Sequence, residues 1–203
     1  MCIVHYELCI ERRVMTIEYL LAGFGGQGIL FAGKFLACKG LSEGKQVSWL
    51  PSYGPEMRGG TANCSVIVSD EEVGSPIVTA PDILVAMNLP SLDKFENAVK
   101  PGGAVYIDSA LIGRKLQRTD VKAVYIPATR IAAENGMAKL ANMIIMGAVL
   151  SMESEGTLKK ALEHAISAKR EDMIALNLKA MTIGKNINNA QCTVHNAQLK
   201  DRI

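Results

Sequence analysis

The chain has no Cys-x-x-Cys pair, and its five cysteines, Cys2, Cys9, Cys38, Cys64 and Cys192, are scattered and odd in number. That pattern fits reduced thiols rather than a disulfide framework, and it excludes an iron–sulfur cluster or structural zinc held by this chain alone. Histidine is scarce as well: His5, His164 and His195 lie far apart, so an all-His metal site is not expected. No apolar run approaches the ~20 residues that span a bilayer, and the N-terminus lacks a basic-then-apolar signal pattern, which makes a cytoplasmic chain the expectation. A formal charge of +2 gives no electrostatic case for nucleic acid. What is present is ordinary for a globular protein: 203 residues, 49% hydrophobic and 21% charged, enough for one domain with a sizeable core.

Along the chain, apolar strands alternate with helical stretches. IEYLLA at Ile17 to Ala22 reads as a strand, closed by glycines, and a helix carrying Ile29, Phe31, Phe35 and Leu36 follows, ending near Gly40. Gln46 to Trp49 and the segment from Thr61 are two more strands. Ile83 to Ala86, Ala104 to Asp108 and Ala123 to Ile126 are strands, with a helix at Ser91 to Val99. The last third is helical: NMIIMGAVLSM, Asn142 to Met152, is apolar on nearly every face and belongs in a core or against a partner. A helix over Thr157 to Ala168 with Thr157 as N-cap comes next, and another over Glu171 to Met181. The expected fold class is α/β, a three-layer sandwich on a mostly parallel, mixed sheet with a Rossmann-like first βα unit. Residues 1–15 read as an N-terminal extension, 16–183 as the domain and 184–203 as a polar, frayed tail.

Two glycine clusters carry the chemistry. Gly23-Phe24-Gly25-Gly26-Gln27-Gly28 satisfies G-x-G-x-x-G between a strand and a helix, where backbone N–H groups can hold a phosphate. A dinucleotide site also wants an acid at the end of the second strand, and Gln46-Val47-Ser48-Trp49-Leu50-Pro51 supplies none. The choice left open is a phosphate-bearing ligand other than a dinucleotide, or glycines that only permit tight strand–helix packing. No Walker A Gly-Lys-Ser/Thr and no thiamine-type Gly-Asp-Gly is present. The second cluster, Ser52-Tyr53-Gly54-Pro55-Glu56-Met57-Arg58-Gly59-Gly60, is a stiff loop between strands. Arg58 offers a planar fork suited to a carboxylate or phosphate, and the alternative is an internal Glu56–Arg58 pair that holds the loop.

GFGGQG after the first strand, PSYGPEMRGG after the second, and then VIVSD, PDILVAMN and NMIIMGAVL resemble the gamma subunit of the 2-oxoacid:ferredoxin oxidoreductases from about Thr16 to about Met181. The resemblance implies a subunit of an enzyme that decarboxylates a 2-oxoacid on thiamine diphosphate, passes electrons through iron–sulfur clusters to ferredoxin and releases an acyl-CoA. It places the thiamine and the clusters on the alpha, beta and ferredoxin-like delta partners, with coenzyme A as the ligand near this chain. Matching its motifs sets Gly23, Gly25, Gly26, Gln27 and Gly28, with Tyr53, Gly54, Glu56, Arg58, Gly59 and Gly60, along a coenzyme A- or subunit-facing surface. It assigns this chain no catalytic residue and no metal. Two other readings compete: a nucleotide- or CoA-binding regulatory or scaffold module, and an NAD(P)-dependent oxidoreductase. A lone subunit is expected to expose apolar surface and to self-associate, for instance as a homodimer.

Overall fold

A computed structural model of the chain describes residues 15–52, 61–166 and 169–200. Strands β1 (Thr16–Phe24), β2 (Gln46–Ser52), β3 (Thr61–Ser69), β4 (Ile83–Ala86), β5 (Ala104–Asp108) and β6 (Lys122–Ile126) form one six-stranded sheet in the order β2-β3-β1-β4-β5-β6. The β1–β4, β4–β5 and β5–β6 pairings are parallel, and β3 runs antiparallel to both β1 and β2. The sheet is therefore mixed, parallel on one side of β1 and antiparallel on the other.

Alternation along the strands sorts the core into two layers. Tyr19 and Leu21 of β1 join Cys64, Val66, Val85, Tyr106, Val124 and Ile126 on one face. Leu20, Leu84, Val105 and Ile107 point to the other. The first face is covered by α1 (Ile29–Ser42), α3 (Ala128–Glu134), α4 (Ala141–Val149), α5 (Glu155–Ala165) and α6 (Glu171–Lys200). The second is covered by α2 (Leu89–Phe95), whose Leu92 is wholly buried, and by a short 3-10 turn over Glu96–Ala98. These are the three layers of an α/β sandwich. Helix α3, which the periodicity did not reveal, starts beside Asp108: the Asp108 carboxylate accepts from Thr129 N and Thr129 Oγ1. Burial pushes that carboxyl above its usual range while these bonds pull the other way.

Helix α4 lies at the centre, with every residue from Ala141 to Ala148 buried. Its sequence is apolar all round because no face of it meets water. Helix α6 crosses it at a backbone-to-backbone contact. A Cβ on Gly147 would collide with the Met181 backbone, and one on Gly184 with Ile144 O. Small residues are the condition for so close an approach.

Strands β1 and β2 run longer than expected, and three helical boundaries move. Helix α5 begins at Glu155, because Ser154 Oγ accepts from Thr157 N at 3.1 Å and acts as N-cap in place of Thr157. Residues 89–98 divide into α2 and a 3-10 turn rather than one helix over Ser91 to Val99. Helix α6 runs on to Lys200 where a frayed tail was expected from 184. Its buried face, Ile174, Asn177, Ala180 and Met181, continues through Gly184 and Asn188. Asn188 Nδ2 donates to Ala148 O at 3.2 Å and to Ser151 Oγ at 2.9 Å, closing the end of α4. A glycine and an asparagine hide this stripe from a hydrophobicity count.

Two outcomes follow from this packing. Gly147→Ala and Gly184→Ala force backbone apart rather than a flexible side chain, so each is expected to lower stability by at least about 2 kcal/mol in denaturant unfolding. A change within about 0.5 kcal/mol at either position would contradict the crossing. Burial also pushes the Cys64 thiol up to about 12, leaving it protonated and hidden at neutral pH. Iodoacetamide at pH 8 should therefore spare Cys64 in the native chain and modify it in denaturant, as read by the mass of its peptide.

Candidate functional site

The parallel half of the sheet reverses between β1 and β4. Helix α1 leaves β1 onto the first face, while α2 leaves β4 onto the second, so the C-terminal ends of these neighbouring strands flank a crevice. Such a switch point is where open α/β sheets bind ligands. The first glycine cluster lies there. Gly26 and Gly28 have φ of 92° and 75°, the left-handed region that makes glycine necessary at both turns. Gly28 is also the N-cap of α1, and a Cβ there would come within 2.6 Å of Asn142 Nδ2.

The side chain of Gln27 fills the crevice. Its Oε1 accepts from Phe24 N at 2.5 Å, and its Nε2 donates to Met87 O at 3.1 Å, so it ties the end of β1 to the residue after β4. The Phe24 N–H is thereby committed within the protein. Gly23 makes room for this bond, since a Cβ there would meet Gln27 Oε1 at 2.6 Å. Part of the G-x-G-x-x-G signature is thus spent on packing. The rest leaves an opening for an anion: α1 has 14 residues, no side-chain N-cap and no acid in its first turn.

Tyr53, Gly54, Glu56, Arg58, Gly59 and Gly60 lie outside the described residues. Their described flanks are placed. Ser52 pairs with Asn63, and Thr61 pairs with Phe24, so these two flanking residues lie at the same end of the sheet as the first glycine turn. The same end of the sheet carries Phe24, the last residue of β1, and Leu89 and Leu111, which come after β4 and β5; they remain 39%, 39% and 46% exposed.

Beside Gly28 opens a cavity of about 480 Å³, lined by Phe31, Leu140, Asn142, Ile166, Met173 and Asn177 among others, with Lys139 and Arg170 also contributing. Asn142 Nδ2 donates to Gly28 O at 3.0 Å, fixing the α1 entrance from a position 114 residues away in sequence. Lys34, too deep in α1 for a phosphate, donates instead to Ala165 O at the end of α5. The sequence reading missed Asn142, Asn177, Lys139 and Arg170. The signal was there for the asparagines: each is a lone amide in an otherwise apolar stretch, NMIIMGAV and MIALNLKAM.

Among the described residues, no group of three or more His, Cys, Asp or Glu could hold a metal ion, and Cys38 and Cys64 are free. No helix among them is long and apolar enough to cross a membrane. This end of the sheet presents the N–H groups at the start of α1 together with exposed apolar side chains.

Comparison with known proteins agrees with this geometry. The family description "Pyruvate ferredoxin/flavodoxin oxidoreductase" matches residues 18–187. The chain is 42% identical over 171 residues to ketoisovalerate oxidoreductase subunit VorA of Methanothermobacter thermautotrophicus, an alignment covering 83% of this chain and 35% of that protein. It superposes on the keto/oxoacid ferredoxin oxidoreductase gamma subunit of Geobacter sulfurreducens with a TM-score of 0.72 and 29% identity, covering 86% of this chain and 99% of that one. With the 2-oxoglutarate:ferredoxin oxidoreductase of Magnetococcus marinus, solved with 2-oxoglutarate, coenzyme A and succinyl-CoA bound, the TM-score is 0.76 at 28% identity, covering 86% of this chain and 31% of that one. The chain thus spans about a third of the length of the VorA and Magnetococcus chains and nearly all of the Geobacter subunit. It belongs to the pyruvate ferredoxin/flavodoxin oxidoreductase family.

Proposed function

We propose that this chain is the gamma-type subunit of a multi-subunit 2-oxoacid:ferredoxin oxidoreductase, which oxidatively decarboxylates a 2-oxoacid with coenzyme A to an acyl-CoA and carbon dioxide, its electrons passing to ferredoxin. One observation carries the reading beyond family membership. The uncapped N-terminus of α1 lies at the β1–β4 switch point, at the end of the sheet where Ser52 and Thr61 are paired and where Phe24, Leu89 and Leu111 are exposed. Helix N–H groups and an arginine fork suit the phosphates of coenzyme A. The apolar side chains suit a protein partner.

In this reading the chain binds and positions, and thiamine diphosphate and the iron–sulfur clusters belong to the alpha, beta and delta partners. Gly25, Gly26 and Gly28 leave the α1 entrance open to a phosphate, while Gln27 holds that entrance against β4. Gly23 serves the same bond. Tyr53, Gly54, Glu56, Arg58, Gly59 and Gly60 are assigned to the same ligand- or subunit-facing surface. The missing acid at the end of β2 disfavours an NAD(P)-dependent oxidoreductase.

Two measurements test this. Affinity purification of the chain from its native source should recover thiamine-binding and cluster-bearing subunits in equal ratio; a lone chain that titrates with NADH would overturn it. Arg58→Ala in the assembled enzyme should raise the KM for coenzyme A by about tenfold or more while decarboxylation without coenzyme A persists. An unchanged KM together with failed assembly would assign the loop to the subunit interface instead.

A further inference from the structure

Strand β2 forms one edge of the sheet, yet its composition is that of an interior strand. Its seven residues, QVSWLPS, carry no Lys, Arg, Asp or Glu, and none of them is buried. Apolar side chains stand on both faces: Trp49 lies on the first face against Gly33 of α1, and Leu50 on the second, beside Leu20 and Ile77. They stay 39% and 40% exposed, and among the described residues no further strand lies alongside. A free row of N–H and C=O groups recruits another strand, so sheet edges are guarded by shortness, lysines, prolines, bulges or a covering element. The opposite edge, β6, is shorter and opens on Lys122. Strand β2 has only Pro51, near its end.

Pro51 also tells which backbone groups point outward. It has no N–H to give a ladder, so on an edge strand its nitrogen faces away from the neighbouring strand. Direction alternates along an antiparallel strand. Val47, Trp49 and Pro51, in register with Val68, Val66 and Cys64 of β3, therefore turn their backbone groups outward, while Ser48 and Leu50 bond to β3. We propose that a second copy of this chain completes the edge, the two β2 strands pairing antiparallel about a two-fold axis through Trp49. Each Trp49 N–H then donates to the Trp49 C=O of the other copy, and each Val47 N–H to the other copy's Pro51 C=O. Pro51 withholds only the return bond. Leu50 falls opposite Ser48 of the second copy on the second face, and the two Trp49 side chains meet on the first. The strand is its own complement because it is uncharged, so the axis brings no like charges together. An isologous contact uses up both β2 edges, and the sheet closes at two copies. The pairing runs along the side of the sheet and leaves the start of α1 open, and it does not rest on the function proposed above.

Sedimentation and hydrogen exchange of the full chain up to about 100 µM test this, a concentration at which a contact of modest area is populated. A dimer should form, and the Val47 and Trp49 amides should exchange at least about tenfold more slowly at high concentration than at low. Leu50→Lys and Leu50→Glu each set like charges diagonally across the axis, so each should weaken the dimer by about tenfold or more. Mixed in equal amounts, the two variants should restore it, a rescue that misfolding of either variant cannot produce. A single chain at about 100 µM, or amides whose exchange ignores concentration, overturns the proposal. A dimer indifferent to both Leu50 substitutions but broken by Phe24→Glu overturns it too and moves the contact to the C-terminal end of the sheet. Protection of Val47 and Trp49 only when oxidoreductase subunits are present gives the edge to a strand of another subunit, against the second copy.

Discussion

Everything at the binding edge hangs on the crossing of α4 and α6 at Gly147 and Gly184. Because each glycine admits the other helix's backbone, the two axes approach closely, and the positions one or two turns away are set with them. Asn142 then reaches Gly28 and holds the entrance of α1, and Asn177 comes to line the same cavity. Asn188 finishes the pair by donating to Ala148 O near the end of α4 and to Ser151 Oγ just beyond it. A helix buried as fully as α4 cannot slide to correct an error, since packed interiors do not deform smoothly. The precision of the site is borrowed from this contact.

The glycine turn divides its labour. Gly26 and Gly28 supply backbone angles that an L side chain resists, and Gly23 supplies space for Gln27 Oε1. The packing role is visible at Gly23, whose missing Cβ leaves the space that Gln27 Oε1 occupies. Gln27 works as a strut between β1 and the residue after β4, which keeps the switch-point crevice at fixed width while leaving the α1 N–H groups uncapped. Fixed geometry of this kind is what the positioning of a bound group requires.

Much of the fold was legible in the chain because strands buried on both faces read as apolar runs. Ile83–Ala86 and Ala104–Asp108 are found as expected, and the apolar NMIIMGAV is the core helix its composition implies. The reading stopped short where the decisive residue was not apolar. Gly184 and Asn188 end a hydrophobic stripe on paper and continue it in space, so α6 was cut short. Ser154 outcompeted Thr157 as N-cap because its hydroxyl sits one turn ahead of the first free N–H. Helix α3 owes its start to Asp108 from another element, a contact no local window contains.

By itself the sequence determined the alternation of strands and helices, the turn at Gly23 to Gly28 and the absence of a dinucleotide acid, since each depends on residues adjacent in the chain. Only the tertiary structure decided that Gln27 belongs to the scaffold, that Asn142 and Asn177 share a cavity with Lys139 and Arg170, and that β3 runs against β1 to set Thr61 opposite Phe24. These facts join residues tens to more than a hundred positions apart. Hydrophobic periodicity tells each element which face to bury, but the partner that face meets is chosen by packing of the whole chain.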